Sequence, residues 1–182
     1  MPLYEIHPII VHFPIALLLA GALFKALELI LIDPSPLVGE GGGGGAAIDG
    51  TTPPILTFPR KGGRDFWDKR LFAQTSLWLL RLGFLGAVAA AGFGLLAEKT
   101  APHVPAAWET LWDHKRLGLA TAGVSIALWI VEELARRTPK PWLTWLGRLL
   151  WLAAVVLVIA AGNEGGELVY TYGVGVAAAP HL

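Results

Sequence analysis

Long apolar runs alternate with polar breaks along this chain, and each run is of bilayer length. The first extends from about Pro8 to Ile32 and is stopped by Asp33-Pro34-Ser35-Pro36; the others cover about 71–97, 114–131 and 142–162. A bilayer core takes ~20 apolar residues of helix, and only helices or closed barrels satisfy every backbone polar group inside it. Four such runs predict an all-α membrane protein, one four-transmembrane-helix bundle over residues 1–182. Residues 33–70 form a Gly/Pro-rich loop in which Gly41 to Gly45 reads as flexible linker, and 163–182 form a tail.

Composition agrees with the pattern. Hydrophobic residues make up 54% of the chain and charged residues 15%, with a mean hydropathy of +0.57, whereas soluble domains carry roughly 25% charge. Fourteen basic residues balance fourteen acidic ones, so no global field draws nucleic acid, which is not expected as a partner. Cysteine is absent, which removes disulfides, thiolate metal sites and covalent c-type haem attachment. No basic residue precedes Lys25, so the first run lacks the cationic lead of a cleaved signal and is expected to stay as a span.

Charge decides orientation. With four spans, the loops after spans one and three share a side, and around them lie Arg60, Lys61, Arg64, Lys69, Arg70, Arg136, Arg137, Lys140 and Arg148. The other side has Lys99, Lys115 and Arg116. The positive-inside rule then puts both termini outside the cytoplasm, in the periplasm of a bacterium, and the 33–70 loop inside. The protein is expected in the bacterial inner membrane.

This topology collects the chemistry. All five histidines, His7, His12, His103, His114 and His181, fall on the periplasmic side, together with Asn163, Glu164 and Glu167. Ionisable groups at membrane depth are costly and tend to mark functional interiors. His7 and His12 are five residues apart, about 140° around a regular helix, so they converge only if Pro14 distorts the span; otherwise His7 is an interfacial residue. His114 opens the third run behind Asp113, which resembles a helix cap, and the partial positive charge of a helix start keeps an imidazole neutral, the form that binds metal. Neutral histidines facing each other from two helices are a common way for bundles to hold a haem. His12 and His114 are the preferred pair of iron ligands, with His7 as support or alternative ligand. Lys115 and Arg116 either face haem propionates or snorkel to the interface. The same inventory, with Glu164 or Glu167, also suits Zn, Cu or Fe without a macrocycle.

Other features have plainer readings. Gly83, Gly86, Ala87, Ala90, Ala91 and Gly94 in span two are the small residues of close helix packing. Lys25, Glu28 and Arg81 are expected to pair or snorkel at the cytoplasmic ends, and Trp108, Trp112, Trp142 and Trp145 to anchor at the interfaces. The glycine-rich tail from Gly162 to Val176 is expected to fold back over the periplasmic mouth. Ser76 and Ser125 lie inside spans, away from the histidines, so a Ser-His-Asp triad is not supported and independent catalysis is not expected.

Three motifs carry a resemblance. His7-Pro8-x-x-Val11-His12-Phe13-Pro14-Ile15-Ala16-Leu17-Leu18, His114-x-Arg116-Leu117-Gly118 and Gly165-Gly166-Glu167-Leu168-Val169-Tyr170-x-x-Gly173-Val174-Gly175-Val176 resemble an uncharacterised family of bacterial four-helix inner-membrane proteins. That family looks like a relative of the four-helix b-type cytochromes. The resemblance implies one haem b near the periplasmic face, an electron-transfer role, and partners among other membrane subunits or periplasmic redox proteins. Family members often have histidine where this chain has Asn163, and sometimes where it has Tyr172, so a ligand from either place is missing here. The alternative is a cofactor-free accessory subunit of a larger respiratory or photosynthetic complex.

Overall fold

A computed structural model of the chain describes residues 3–30, 69–100 and 104–174. The expected 33–70 loop up to residue 68, His103, and the tail beyond 174 with His181 lie outside the described residues. Four α-helices follow one another: α1 (Leu3–Ile30), α2 (Lys69–Thr100), α3 (Trp108–Arg137, preceded by a 3-10 turn at Pro105–Ala107) and α4 (Pro141–Tyr170). Each is long and apolar enough to cross a membrane.

At 28 to 32 residues, the helices outrun a hydrocarbon core of about 30 Å, so a turn or so of each reaches the headgroup zone. Two expectations change as a result. Span three begins at Trp108, because Pro105 starts a helical turn that Glu109 and Thr110 continue. Asp113 is therefore inside α3 and Ala107 stands at the cap position; the helix-start argument for a neutral His114 does not apply. Span four continues past Gly162, so Asn163 to Glu167 are helical and not tail. α4 ends where Gly173 takes a φ of 66° and the Gly173 and Val174 N–H groups close on the carbonyls of Val169 and Leu168.

Neighbouring helices run antiparallel. From one end of α1 to the other, His7 meets Gly94, Pro14 meets Gly86, Leu18 meets Gly83, Gly21 meets Leu79 and Phe24 meets Phe72. α2 meets α3 through Glu98 with Lys115, Phe84 with Trp129 and Arg81 with Glu133. α3 meets α4 through His114 with Gly165 and Glu132 with Gly147. The hairpins α1–α2 and α3–α4 are the most extensively packed pairs, and α1 touches α4 least among neighbours. The start of α1 and the end of α4 share one end of the bundle.

The two hairpins repeat one register. On α2 the buried positions are Phe72, Ser76, Leu80, Gly83, Ala87, Ala90 and Ala97; 71 residues later all but one have a buried counterpart on α4, at Leu143, Gly147, Trp151, Ala154, Val158 and Leu168. A shift of 107 takes α1 to α3 in the same way, His7 to His114, Pro14 to Thr121, Leu18 to Ser125, Gly21 to Leu128 and Lys25 to Glu132. Spacings of three and four keep these positions on one inward seam. Identities differ across the repeat, small against large: Gly21 admits Trp151, and Gly83 admits Leu18. Lipid tails are as apolar as leucine, so such close fitting rather than exclusion from water holds membrane helices together. The small residues of α2 are used for packing on α1, as expected. Leu18, Leu80, Leu128, Trp151, Ala154 and Val158 fill the middle of the bundle.

Candidate functional site

His7 and His114 meet inside one end of the bundle. Their ring centroids are 6.1 Å apart and the rings stand at 77° to each other. Each comes from the first helix of its hairpin, and each rests on a glycine of the second: a Cβ at Gly94 would lie 3.0 Å from His7 Cε1, and one at Gly165 would lie 3.0 Å from His114 Cε1. The missing side chains make the seats.

The backbone behind each seat matters as well. His114 Nδ1 donates to the carbonyl of Ala161, 3.0 Å away. Ala161 precedes Gly165 by one helical turn, so the absence of a Cβ at Gly165 also leaves that carbonyl open to approach. Because the acceptor is a carbonyl, the proton of a neutral His114 is on Nδ1 and the lone pair is on Nε2. His7 repeats the seat on Gly94, but its Nδ1 is buried with no hydrogen-bond partner among the described residues. The site is thus two-fold in outline and incompletely satisfied on the His7 side.

His12 is elsewhere. α1 is one continuous helix with Pro8 and Pro14 inside it, so the five-residue offset keeps His12 off the face that His7 presents. His12 is exposed, and its Nδ1 bonds back to the Pro8 carbonyl. The imidazole that meets His114 is therefore that of His7, where the sequence had suggested His12. Lys115 is also engaged: its Nζ is 2.8 Å from Glu98 of α2 and 5.4 Å from the centroid of the Trp112 ring. Arg116 is exposed at the same level.

A second polar centre sits at the opposite end. His7 to Lys25 and His114 to Glu132 are both steps of eighteen residues, five full turns and ~27 Å, which returns each side chain to the same inward face. Lys25 Nζ lies 3.2 Å from Glu28 and 3.4 Å from Glu132, and Trp151 Nε1 donates to Glu132 at 3.0 Å. Arg81 pairs with Glu133 at 3.1 Å. The expected pairing at this end is present, but its main acceptors, Glu132 and Glu133, went unnoticed in the sequence; the matching eighteen-residue steps were the available signal. Between the two centres the Leu18, Leu80 and Leu128 layer is apolar and fully buried, and the buried hydroxyls of Ser76, Thr121 and Ser125 bond to carbonyls of their own helices. No polar chain bridges the layer among the described residues.

Fold and site together define a class: a membrane bundle of two helical hairpins with an imidazole pair between them. The chain belongs to the family described as predicted membrane protein (DUF2231), whose model matches residues 4–178. No curated protein and no solved structure matches it.

Proposed function

We propose that the protein is an electron-transfer subunit of a bacterial inner membrane that holds one b-type haem between His7 and His114, near the periplasmic face. The observation that carries this reading is the imidazole pair on its two glycine seats. The two imidazoles come from different helices with ring centroids 6.1 Å apart, and facing histidines on two helices would be the residues to hold the iron. The donor set fits the group in three ways: two imidazoles, an anchored Nδ1–H on His114, and a buried Nδ1 on His7 still lacking a partner.

When bound, a haem supplies one-electron redox chemistry at a potential set by its axial ligands and burial. The chain's own residues do the rest. Ala161 fixes the tautomer and orientation of His114 through Nδ1–H, which raises the basicity of Nε2. Gly94 and Gly165 keep the rings at their depth. Arg116, with no carboxylate partner among the described residues, is the cation suited to a propionate, because Lys115 is held by Glu98.

A reduced-minus-oxidised spectrum of protein purified from native membranes tests the reading. One haem per chain is expected, lost in His7→Ala and in His114→Ala and kept in His12→Ala. A native preparation without a haem band refutes it. A second reading, a cofactor-free accessory subunit of a larger respiratory or photosynthetic complex, is favoured by the exposed Trp108 and Trp112, which stand beside Glu98 and Lys115 at the histidine end of the bundle. Co-migration with a large complex and no chromophore would decide for that one.

A further inference from the structure

Among the described residues, the end of the bundle opposite the histidines carries more cations than carboxylates. Glu133 is the carboxylate that meets three guanidinium groups there, Arg81 at 3.1 Å, Arg136 at 3.4 Å and Arg137 at 3.0 Å. Glu132, its neighbour, is turned inward onto Lys25. The connection into α4 then adds Lys140, exposed, and the first turns of α4 add Arg148, whose guanidinium stacks on Trp145 at 4.8 Å. Among the described residues neither Lys140 nor Arg148 meets a carboxylate, and Arg148 Nε is buried with no acceptor at all. Among the described residues, the corner between α3 and α4 therefore has an excess of positive charge and a donor that lacks its acceptor.

What adjoins this corner is apolar and faces outward. Trp142, Trp145, Leu149, Leu152 and Val156 are each more than half exposed, and their spacing of three, four, three and four lines them up as one stripe down α4. The two tryptophans head the stripe at the level of the cations, where an indole sits well between headgroups and chains.

We propose that this corner is a seat for an anionic phospholipid, its phosphate held by Arg137, Lys140 and Arg148 and its acyl chains lying along the Trp145–Val156 stripe. A phosphodiester supplies the charge and the acceptor oxygens that the corner lacks, and its two non-bridging oxygens suit the fork of a guanidinium. The tethered chains keep it at the membrane surface, where each nearby Lys or Arg is worth about 1 kcal/mol, or roughly fivefold in occupancy. A zwitterionic headgroup offers the phosphate together with a competing cation.

The test uses the full chain in nanodiscs of phosphatidylcholine alone or with a minor fraction of phosphatidylglycerol, reading lipid retained by native mass spectrometry and the thermal midpoint. Phosphatidylglycerol should be retained at least tenfold over phosphatidylcholine and should raise the midpoint. Arg137→Gln, Lys140→Gln and Arg148→Gln combined should abolish the preference while the helical circular dichroism in pure phosphatidylcholine is retained; Lys99→Gln, at the other end, should keep it. If the triple variant does not fold, Lys140→Gln and Arg148→Gln taken singly should each lower the preference, and an undiminished preference in both overturns the proposal. Equal retention of both lipids, or an undiminished preference in a folded triple variant, overturns the proposal, and so does inorganic phosphate alone giving the same rise in phosphatidylcholine discs.

Discussion

Gly165 and Gly166 are adjacent on α4, yet alanine should affect them in opposite ways. A Cβ at Gly165 would lie 3.0 Å from His114 Cε1 and 3.3 Å from Nδ1, whereas one at Gly166 would find nothing within 4 Å. Carbon atoms rest about 3.5–4.0 Å apart, so Gly165→Ala must push the ring by at least half an ångström. That ring is tied to Ala161 by a 3.0 Å hydrogen bond, which the push lengthens or breaks. Overpacking costs about 1–3 kcal/mol and a lost hydrogen bond about 0.5–1.5 kcal/mol, against a gain of about 1 kcal/mol from replacing glycine by alanine in a helix. The balance is a loss of about 1–3 kcal/mol for Gly165→Ala and a gain of up to about 1 kcal/mol for Gly166→Ala. The repeat supplies an independent pair on α2: Gly94→Ala meets His7 at 3.0 Å, and Gly92→Ala meets nothing. Reversible unfolding in detergent micelles, followed by circular dichroism, measures all four. If Gly165→Ala and Gly94→Ala are as stable as their neighbours' variants, the imidazoles do not rest on these glycines and the site as described is wrong.

Three further outcomes follow from the packing. Glu132→Ala leaves Lys25 with Glu28 alone and Trp151 without its acceptor, and should lower stability by about 2–4 kcal/mol in the same unfolding assay; Glu133→Ala, whose partners lie nearer the surface, should lower it by less. Trp151→Phe keeps most of the ring but removes the donor to Glu132, a loss of about 1–2 kcal/mol that should shrink in a Glu132→Gln background when measured as a double-mutant cycle. Leu128→Ala opens a cavity in the mid-bundle layer and should cost about 2–5 kcal/mol, while Leu149→Ala on the outward stripe should leave the unfolding midpoint nearly unchanged.

Much of the architecture was legible in the order of residues. Bilayer length and the demand that backbone groups be satisfied leave little choice for an apolar run of more than twenty residues, so four spans and their approximate positions could be read directly. The motifs around His7, His114 and Gly165 also marked the residues that meet. Helix ends were less legible, because Trp108 to Asp113 and Asn163 to Tyr170 are polar enough to look like loops and yet continue the helix into the headgroup zone.

Which groups face each other was a matter for the tertiary structure. Helical phase separates His12 from His7, but only the antiparallel register puts His7 across from His114 and gives each a glycine from the other helix of its own hairpin. The repeat relating the hairpins is hidden because equivalent positions hold unlike residues, Leu18 with Ser125 and Gly21 with Leu128, chosen for complementary volume and not for likeness. Lys25 and Glu132 are likewise 107 residues apart, and nothing local links a lone lysine to a distant glutamate. Composition and periodicity determined that this chain has four helices fit to cross a membrane, with His7, His12 and His114 toward one end. The depth and register at which rigid helices fit together, set by where side chains are absent, decided which two of them form the pair.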